Sequence, residues 1–215
     1  MPDRTEKQRF TRKEREQTFR INLVLDAALE VFMQQPFALA RIEDIAERAE
    51  LSVGTLYNLF ESKEEIYKRV ISRQQSLFFE RVAAALQHTS EPREQIHTVI
   101  RVFFTHLREN LAAWKFHVVA AQGLSSEIRA SLFREVLETA VGYRRRLAEI
   151  CQEGIKRGVF RAGMPVDLMA VAVDSIPHSF LHLIFQSDQI DPFSLLPAAL
   201  QAVDRIVGAD GAAKA

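Results

Sequence analysis

Apolar residues recur with the period of an α-helix along almost the whole chain. Near the amino terminus they follow the spacing i, i+3, i+4, i+7, i+8, i+11, at Ile21, Val24, Leu25, Ala28, Leu29 and Phe32. That spacing places all six side chains on one helix face, which a core would bury. No segment of convincing length alternates apolar and polar residues as a half-buried strand does. The pattern predicts an all-α protein of about nine helices.

Start and stop signals divide this pattern into elements. Pro36 ends the first helix, because proline disfavours helical geometry in the residue before it. Ser62 begins a long helix running to about residue 87, and Glu65 completes an S-x-x-E capping box there. After a break before Pro92, further helices are predicted over residues 92–107, 112–122, 126–156 (as one helix or two), 167–187 and 192–207.

Two short apolar stripes lie between the first helix and the long one, with the spacing of a helix-turn-helix. Residues 41–49 are predicted to form the first helix of this motif, and Glu50-Leu51 its turn. Ser52 is a good N-cap for the second helix of the motif. Gly54 lowers the helix propensity of that second helix by about 1 kcal/mol. One physical reason for a glycine there is close approach of the backbone to a DNA groove.

The segments LDAALEVF at 25–32, IEDIA at 42–46 and SVGTLYNLFESKEE at 52–65 together resemble the tetracycline-repressor (TetR) family of transcriptional regulators. The resemblance is strong over residues 21–70 and returns in a loop at 158–160. It implies a helix-turn-helix DNA-binding domain over residues 1–70, which includes a basic arm, and a ligand-binding and dimerisation domain over residues 71–208. Residues 209–215 are expected to form a flexible tail.

The same resemblance implies which residues meet DNA. Tyr57 and Lys63 match phosphate-contacting positions, and the full expected set is Arg41, Ser52, Val53, Gly54, Thr55, Tyr57, Asn58 and Lys63. Three residues depart from the family pattern. Arg41 stands where a capping threonine is common, Pro36 replaces a glycine after the first helix, and Glu50 replaces a glycine in the turn. A positive φ at Glu50 would cost about 1 kcal/mol.

The charge distribution bears on nucleic-acid binding in two opposite ways. The chain has 28 basic and 28 acidic residues, and a net charge of zero argues mildly against a DNA-binding protein. Residues 1–20, however, hold seven basic and four acidic side chains. This arm has two interpretations: a solvated surface without a function, or an arm that follows DNA phosphates or enters the minor groove.

Residues 168–185 are apolar on nearly every face, which predicts burial on all sides. A subunit interface achieves this in a chain of 215 residues. The resemblance implies a homodimer through residues 167–187 and 192–207, with a kink at Pro177. Polar residues such as Asp174 interrupt the apolar run, so no membrane span is expected.

Fifteen phenylalanines suggest an apolar cavity for a mainly apolar or aromatic effector, the alternative being ordinary core. The candidate lining residues are Phe103, Phe104, Trp114, Phe116, His117, Phe133 and Phe180. His178 and His182 have the i, i+4 spacing of metal ligands, but no third ligand is evident nearby, so neither a metal nor a cofactor is expected. The lone Cys151 excludes an internal disulfide and fits the cytoplasm.

These observations favour a ligand-responsive transcriptional regulator, more often a repressor, that binds a palindromic operator as a homodimer. The alternative is a helical regulator that acts through a protein partner without binding DNA. An enzyme is not expected, because the sequence offers no nucleophile–base pairing and no phosphate-cradling loop.

Overall fold

The computed structural model describes residues 11–114, 126–187 and 189–208, and within these ranges the chain forms helices and no strand. The all-α prediction is therefore confirmed. The amino-terminal helices are α1 (Arg12–Gln34), α2 (Ile42–Arg48) and α3 (Val53–Leu59), followed by the long α4 (Lys63–Leu86). The first residues of the basic arm and the predicted tail lie outside the described ranges, while residues 11–20 are exposed.

The larger half contains α5 (Pro92–Glu109), α6 (Ser126–Thr139), α7 (Val141–Lys156), α8 (Val166–Ser179), α9 (Leu181–Gln186), a 3₁₀ turn (Pro192–Leu195) and α10 (Leu196–Val207). Residues 126–156 form two helices, one of the two forms that the sequence allowed. The expected continuous helix over 167–187 is instead divided at Phe180, three residues after Pro177. Of the helix predicted over 112–122, only the part up to residue 114 is described.

The buried apolar side chains form two separate clusters. The first runs from Val24 to Ile71 and buries the predicted α1 face, although Ile21 and Leu29 are only partly covered. The second runs from Phe78 to Val207. Helix α4 contributes side chains to both clusters, so it is the packed connection between the amino-terminal head (residues 11–62) and the larger half.

Local signals set the ends of α4 and α5 as the sequence predicted. The Ser62 hydroxyl accepts from the Glu65 amide at 3.1 Å, and the Glu65 carboxylate accepts from the Glu61 amide at 2.6 Å. The Glu65 carboxylate thus accepts from the amide of Glu61, one residue before the Ser62 amide that a capping box would use. Helix α5 begins at Pro92, with the Glu91 carboxylate capping the free amides of the first turn.

A buried acid fixes α10 to the start of α5. The Asp204 carboxylate accepts two hydrogen bonds from Arg93, at 3.0 and 2.7 Å, and lies 2.8 Å from Nε2 of His97. Burial alone would raise the pKa of Asp204, but the hydrogen bonds from Arg93 and His97 outweigh it and lower that pKa. Asp204 is therefore ionised at neutral pH, and both elements are held in one register.

The end of α7 packs closely against the loop that follows it. Gly158 has a φ of 71°, and the Val159 amide donates to the Gly154 carbonyl at 2.9 Å, which is the Schellman ending of a helix. A Cβ at Gly154 would lie 2.0 Å from the ring of the buried Phe160. The absence of a side chain at Gly154 is what allows that ring to lie across the helix.

We expect Gly154→Ala to lower the free energy of unfolding by about 1–3 kcal/mol, because Phe160 must move out of its site. Urea denaturation measures the change. Gly142→Ala, in the same helix, is the matched control, since a Cβ there meets nothing within 4 Å. Equal stability of the two variants would contradict this account of the packing.

Candidate DNA-binding surface and ligand cavity

The turn between α2 and α3 is closed by backbone hydrogen bonds. The Leu51 amide donates to the Ala46 carbonyl at 3.0 Å, and the Glu50 amide donates to the Glu47 carbonyl at 3.1 Å. This is again a Schellman ending, and it places Glu50 in the left-handed region with a φ of 55°. The departure from glycine noted in the sequence therefore falls on a position that favours glycine.

We expect Glu50→Gly to raise the free energy of unfolding by about 1 kcal/mol, because glycine adopts this φ without steric strain. Urea denaturation checks the stability. The same change removes a negative charge next to α3, so affinity for any duplex DNA should rise as well. Glu47→Gln removes a charge of the same sign without changing the backbone and separates the two effects.

One face of α3 is open to solvent. Gly54, Tyr57 and Asn58 have the i, i+3, i+4 spacing and are all exposed, Tyr57 by 57%. On the opposite side Leu56 is buried, and Val53 and Leu59 pack against the head core. A Cβ at Gly54 would meet only the Ser52 hydroxyl oxygen, at 3.9 Å. Nothing in the described part of the protein therefore requires a glycine here.

Hydroxyl groups order the start of this face. The Ser52 hydroxyl accepts from the Thr55 amide at 3.1 Å and lies 2.9 Å from the Thr55 hydroxyl. Ser52 is thus the N-cap that the sequence predicted. Arg41 does not cap α2 with its side chain; the Asp44 carboxylate accepts from the Arg41 amide instead, at 3.3 Å. The Arg41 guanidinium remains exposed and lies 3.4 Å from Glu43.

Lys63 has a structural role that the sequence did not indicate. Its ammonium donates to the carbonyl oxygens of Phe37 and Ala40, both at 2.8 Å, and lies 4.4 Å from the centre of the Phe37 ring. These bonds fix the α1–α2 connection against the start of α4. Since an ammonium has three donors, a DNA phosphate contact, which stays a prediction, would use the remaining one.

We expect Lys63→Ala to lower the free energy of unfolding by about 1–2 kcal/mol. It should also weaken binding to operator and random DNA by the same factor and make the binding constant less dependent on salt. Thermal unfolding and binding titrations at several salt concentrations measure these effects. Lys68→Ala is the control, because its ammonium bonds Ser131 of α6 at 2.7 Å, away from the head. Unchanged stability would contradict the structural role, and an unchanged salt slope would contradict the phosphate contact.

A cavity of about 260 Å³ lies in the larger half between α4, α5, α7 and α8. Of the predicted lining residues, Trp114 lines it. Phe103 packs behind the wall, at 5.4 Å from the Trp114 ring and 4.8 Å from the His178 ring, while Phe104 and Phe180 pack together in the core. Phe116, His117 and the Phe133 side chain lie outside the described residues.

The sequence missed most of the cavity wall. Four helices and the residues after α5 contribute apolar and polar groups to it: Ile71, Gln74, Gln75, Phe78, Phe79, His106, Asn110, Ala113, Ala140, Tyr143, Arg144, Asp174 and His178. The surface of the cavity is nonetheless mainly apolar, as expected, and the polar groups are a minority of it. Of these residues the sequence had drawn attention only to Asp174, as a polar interruption of an apolar run, and to His178, for its spacing from His182.

Polar side chains at one side of the cavity bond each other. Tyr143 donates to the Asp174 carboxylate, and burial together with that acid raises the pKa of Tyr143 well above its ordinary value. The phenol is therefore protonated at neutral pH. Nδ1 of His178 lies 2.7 Å from the Asp174 carbonyl oxygen, and so it must donate there.

The two histidines with metal-ligand spacing do not form a pair. His178 ends α8 and bonds the Asp174 carbonyl, whereas His182 lies in α9 and is 2.7 Å from the Gln186 amide nitrogen. Among the described residues, no cluster of three or more potential metal ligands occurs.

Comparison with known proteins agrees with this geometry. Residues 24–70 match the sequence model described as bacterial regulatory proteins, tetR family. The fatty acid metabolism regulator protein of Bacillus subtilis is 27% identical over 147 residues, covering 67% of this chain and 73% of that protein. The transcriptional repressor KstR2 of Mycobacterium tuberculosis is 25% identical over 146 residues, covering 68% of this chain and 72% of the repressor.

A solved structure supports the same fold over most of the chain. The crystal structure of FadR from Bacillus subtilis in complex with stearoyl-CoA has a TM-score of 0.74 at 22% identity, covering 87% of this chain and 98% of that one. The chain therefore carries a tetR-family DNA-binding domain at residues 24–70, with the exposed face of α3 inside it, and its larger half has the fold of the FadR structure. It is a ligand-responsive, DNA-binding transcriptional regulator, and the relatives named here are regulators and not enzymes.

Proposed function

We propose that this protein is a homodimeric repressor that binds a palindromic operator through α3 and is released by a small molecule in the cavity. The exposed α3 face of Gly54, Tyr57 and Asn58 is the observation that carries the DNA-binding part. A dimer would present two such faces to successive major grooves, about 34–36 Å apart. The division at residue 70 and the DNA-binding set around Ser52 and Thr55 belong to this proposal.

An unpaired apolar stripe on the last helices supports the dimer. Leu168 and Val171 of α8 are exposed by 59% and 50%, and the exposed Ser175 lies one turn further along the same face; Leu183 of α9 is exposed by 45%. One described segment, 166–186, is long and apolar enough to cross a membrane by length and composition. Its other face packs on α7 and α10, so we assign the apolar stripe to a second subunit and the protein to the cytoplasm.

Helix α4 is suited to carry the ligand signal. Its first half packs in the head through Ile66 and Val70, and its second half lines the cavity through Phe78 and Phe79. Between these two parts, Arg73 of α4 donates to the Asp26 carboxylate and to the Asn22 carbonyl, both in α1. The next residue, Gln74, lines the cavity. A ligand that moves α4 would therefore move the head. To convert the protein almost completely from its DNA-binding arrangement to the released one, the ligand must bind the released arrangement more tightly by about 5.5 kcal/mol.

Footprinting on the DNA upstream of this protein's own gene tests the proposal. We expect protection of two half-sites one helical turn apart, lost on addition of the effector. Protection of no genomic fragment at low salt, from folded protein, would contradict DNA binding and favour the alternative of a regulator acting through a protein partner. An identical α4 orientation in liganded and DNA-bound crystals would contradict the signal route.

A further inference from the structure

The walls of the ligand cavity are built from flat rings. Phe79 and Tyr143 stack with their centres 4.8 Å apart, and Phe78 meets Tyr143 edge-on at 5.8 Å. On another side, the centre of the Trp114 ring lies 6.4 Å from the centre of the His106 ring and 6.2 Å from that of the His178 ring. Flat walls of this kind pack well against a ring and less completely against a flexible chain.

The size of the cavity limits the occupant. At the packing density of a protein interior, about 0.75, the 260 Å³ space holds about 200 Å³ of ligand, which is roughly a dozen non-hydrogen atoms. An eighteen-carbon acyl chain exceeds that volume, so part of it would have to lie outside the space that the described residues enclose. The space fits a body of one or two rings.

His178 offers a hydrogen-bond acceptor to the cavity. Because its Nδ1–H donates to the Asp174 carbonyl, Nε2 is the ring nitrogen left to accept a hydrogen bond from a ligand. The nearby Asp174 carboxylate is already engaged by Tyr143. The remaining charged group of the described lining, Arg144, has the opposite sign to Asp174, so this wall carries no net charge.

His106 offers the complementary donor. Burial, and secondly the positive charge of Arg81, lower the pKa of His106, so its ring is neutral at pH 7. The Asn110 side-chain nitrogen donates to the His106 carbonyl at 2.9 Å and lies 3.4 Å from Nδ1. With Nδ1 facing that donor, the ring proton resides on Nε2. The cavity thus combines a hydrogen-bond donor on His106 with an acceptor on His178.

Building on the proposed function, we propose that the effector is a compact, uncharged, ring-shaped molecule bearing a hydroxyl group, of the phenol type. The ring packs between Phe78, Tyr143 and Trp114. The hydroxyl group, which is donor and acceptor at once, pairs with His106 and His178. This class differs from the stearoyl-CoA of the Bacillus subtilis FadR structure.

A long-chain acyl thioester is the rival occupant. The exposed Arg144, Arg145 and Arg146 on α7 form a basic stretch that would suit the phosphates of such a thioester. The acyl chain would then have to extend beyond the space that the described lining residues enclose. The two classes therefore make opposite predictions for one binding experiment.

Trp114 makes the test direct, because it is the one tryptophan of the chain and it lines the cavity. The full-length protein is titrated with 4-cyclohexylphenol, cyclohexylbenzene and stearoyl-CoA while Trp114 fluorescence is recorded. We expect 4-cyclohexylphenol to change the emission and to bind about tenfold more tightly than cyclohexylbenzene, since only it bears the hydroxyl group. Stearoyl-CoA should neither change the emission nor displace the phenol.

His178→Phe should abolish the tenfold preference while keeping a ring at that position. His182→Phe is the matched control, because His182 is absent from the described lining and should leave the preference intact. Thermal unfolding verifies that both variants are folded. Tighter binding of stearoyl-CoA, absence of phenol binding, or an unchanged preference in His178→Phe would each overturn the proposal. A mobility shift with the footprinted DNA is run in parallel, so a failure of DNA binding is seen separately from a failure of the effector class.

Discussion

Gly54→Ala should leave the protein folded and at least as stable, yet lower its affinity for the operator by about 1–3 kcal/mol, roughly ten- to hundredfold. Alanine favours a helix by about 1 kcal/mol over glycine, and a methyl group at this position meets only the Ser52 hydroxyl oxygen at 3.9 Å. The protein itself therefore gains from the change. The loss arises because the methyl group stands on the face that approaches DNA.

Urea denaturation and a fluorescence titration with operator DNA measure the two opposite effects in one variant. Gly142→Ala serves again as the matched control, since it adds the same methyl group to an open helical position in α7, away from α3. It should change neither operator nor random-DNA affinity. Full operator affinity of Gly54→Ala would mean that the backbone of α3 does not approach DNA closely.

Val171→Glu should convert the protein to a monomer and lower operator affinity by on the order of a hundredfold. A glutamate in the centre of the apolar stripe on α8 would be buried without a partner in the dimer, which is strongly unfavourable. A monomer engages one half-site at a time and loses the effective concentration that links the two. Because Val171 is 50% exposed within one subunit, the fold of that subunit should persist.

Sedimentation velocity and the operator titration test this prediction. Val141→Glu is the control, because Val141 is exposed to a similar extent, 53%, but begins α7 away from the stripe. Only the Val171 variant should sediment as a monomer. A dimeric Val171→Glu protein would place the subunit interface on another surface.

Much of the head could be predicted from the sequence because its determinants are local. The i, i+3, i+4 stripe of α1, the Ser52 and Ser62 caps and the break after Pro36 all act within about one helical turn. The strained turn at Glu50 was visible as a residue that departs from a pattern, and its φ of 55° confirms the expectation. The division at Phe180 was foreseen only as a kink at Pro177.

The ligand cavity could not be predicted in the same way. Aromatic residues chosen by type proved partly right, since Trp114 lines the cavity while Phe103, Phe104 and Phe180 fill core positions beside it. The polar residues of the wall, among them Gln74 and Asp174, come from helices about 100 residues apart in the chain. Which faces of those helices meet depends on how they cross, and no single segment encodes that.

The sequence by itself determined the helices, their caps and the match of the head to a DNA-binding family, because propensity, periodicity and capping act between residues a few positions apart. Only the tertiary structure decided that the Lys63 ammonium holds the Phe37 and Ala40 carbonyls, that Phe160 lies across Gly154, and that two histidines face one cavity. These are contacts between segments distant in sequence. Their geometry is set by packing the whole core at once.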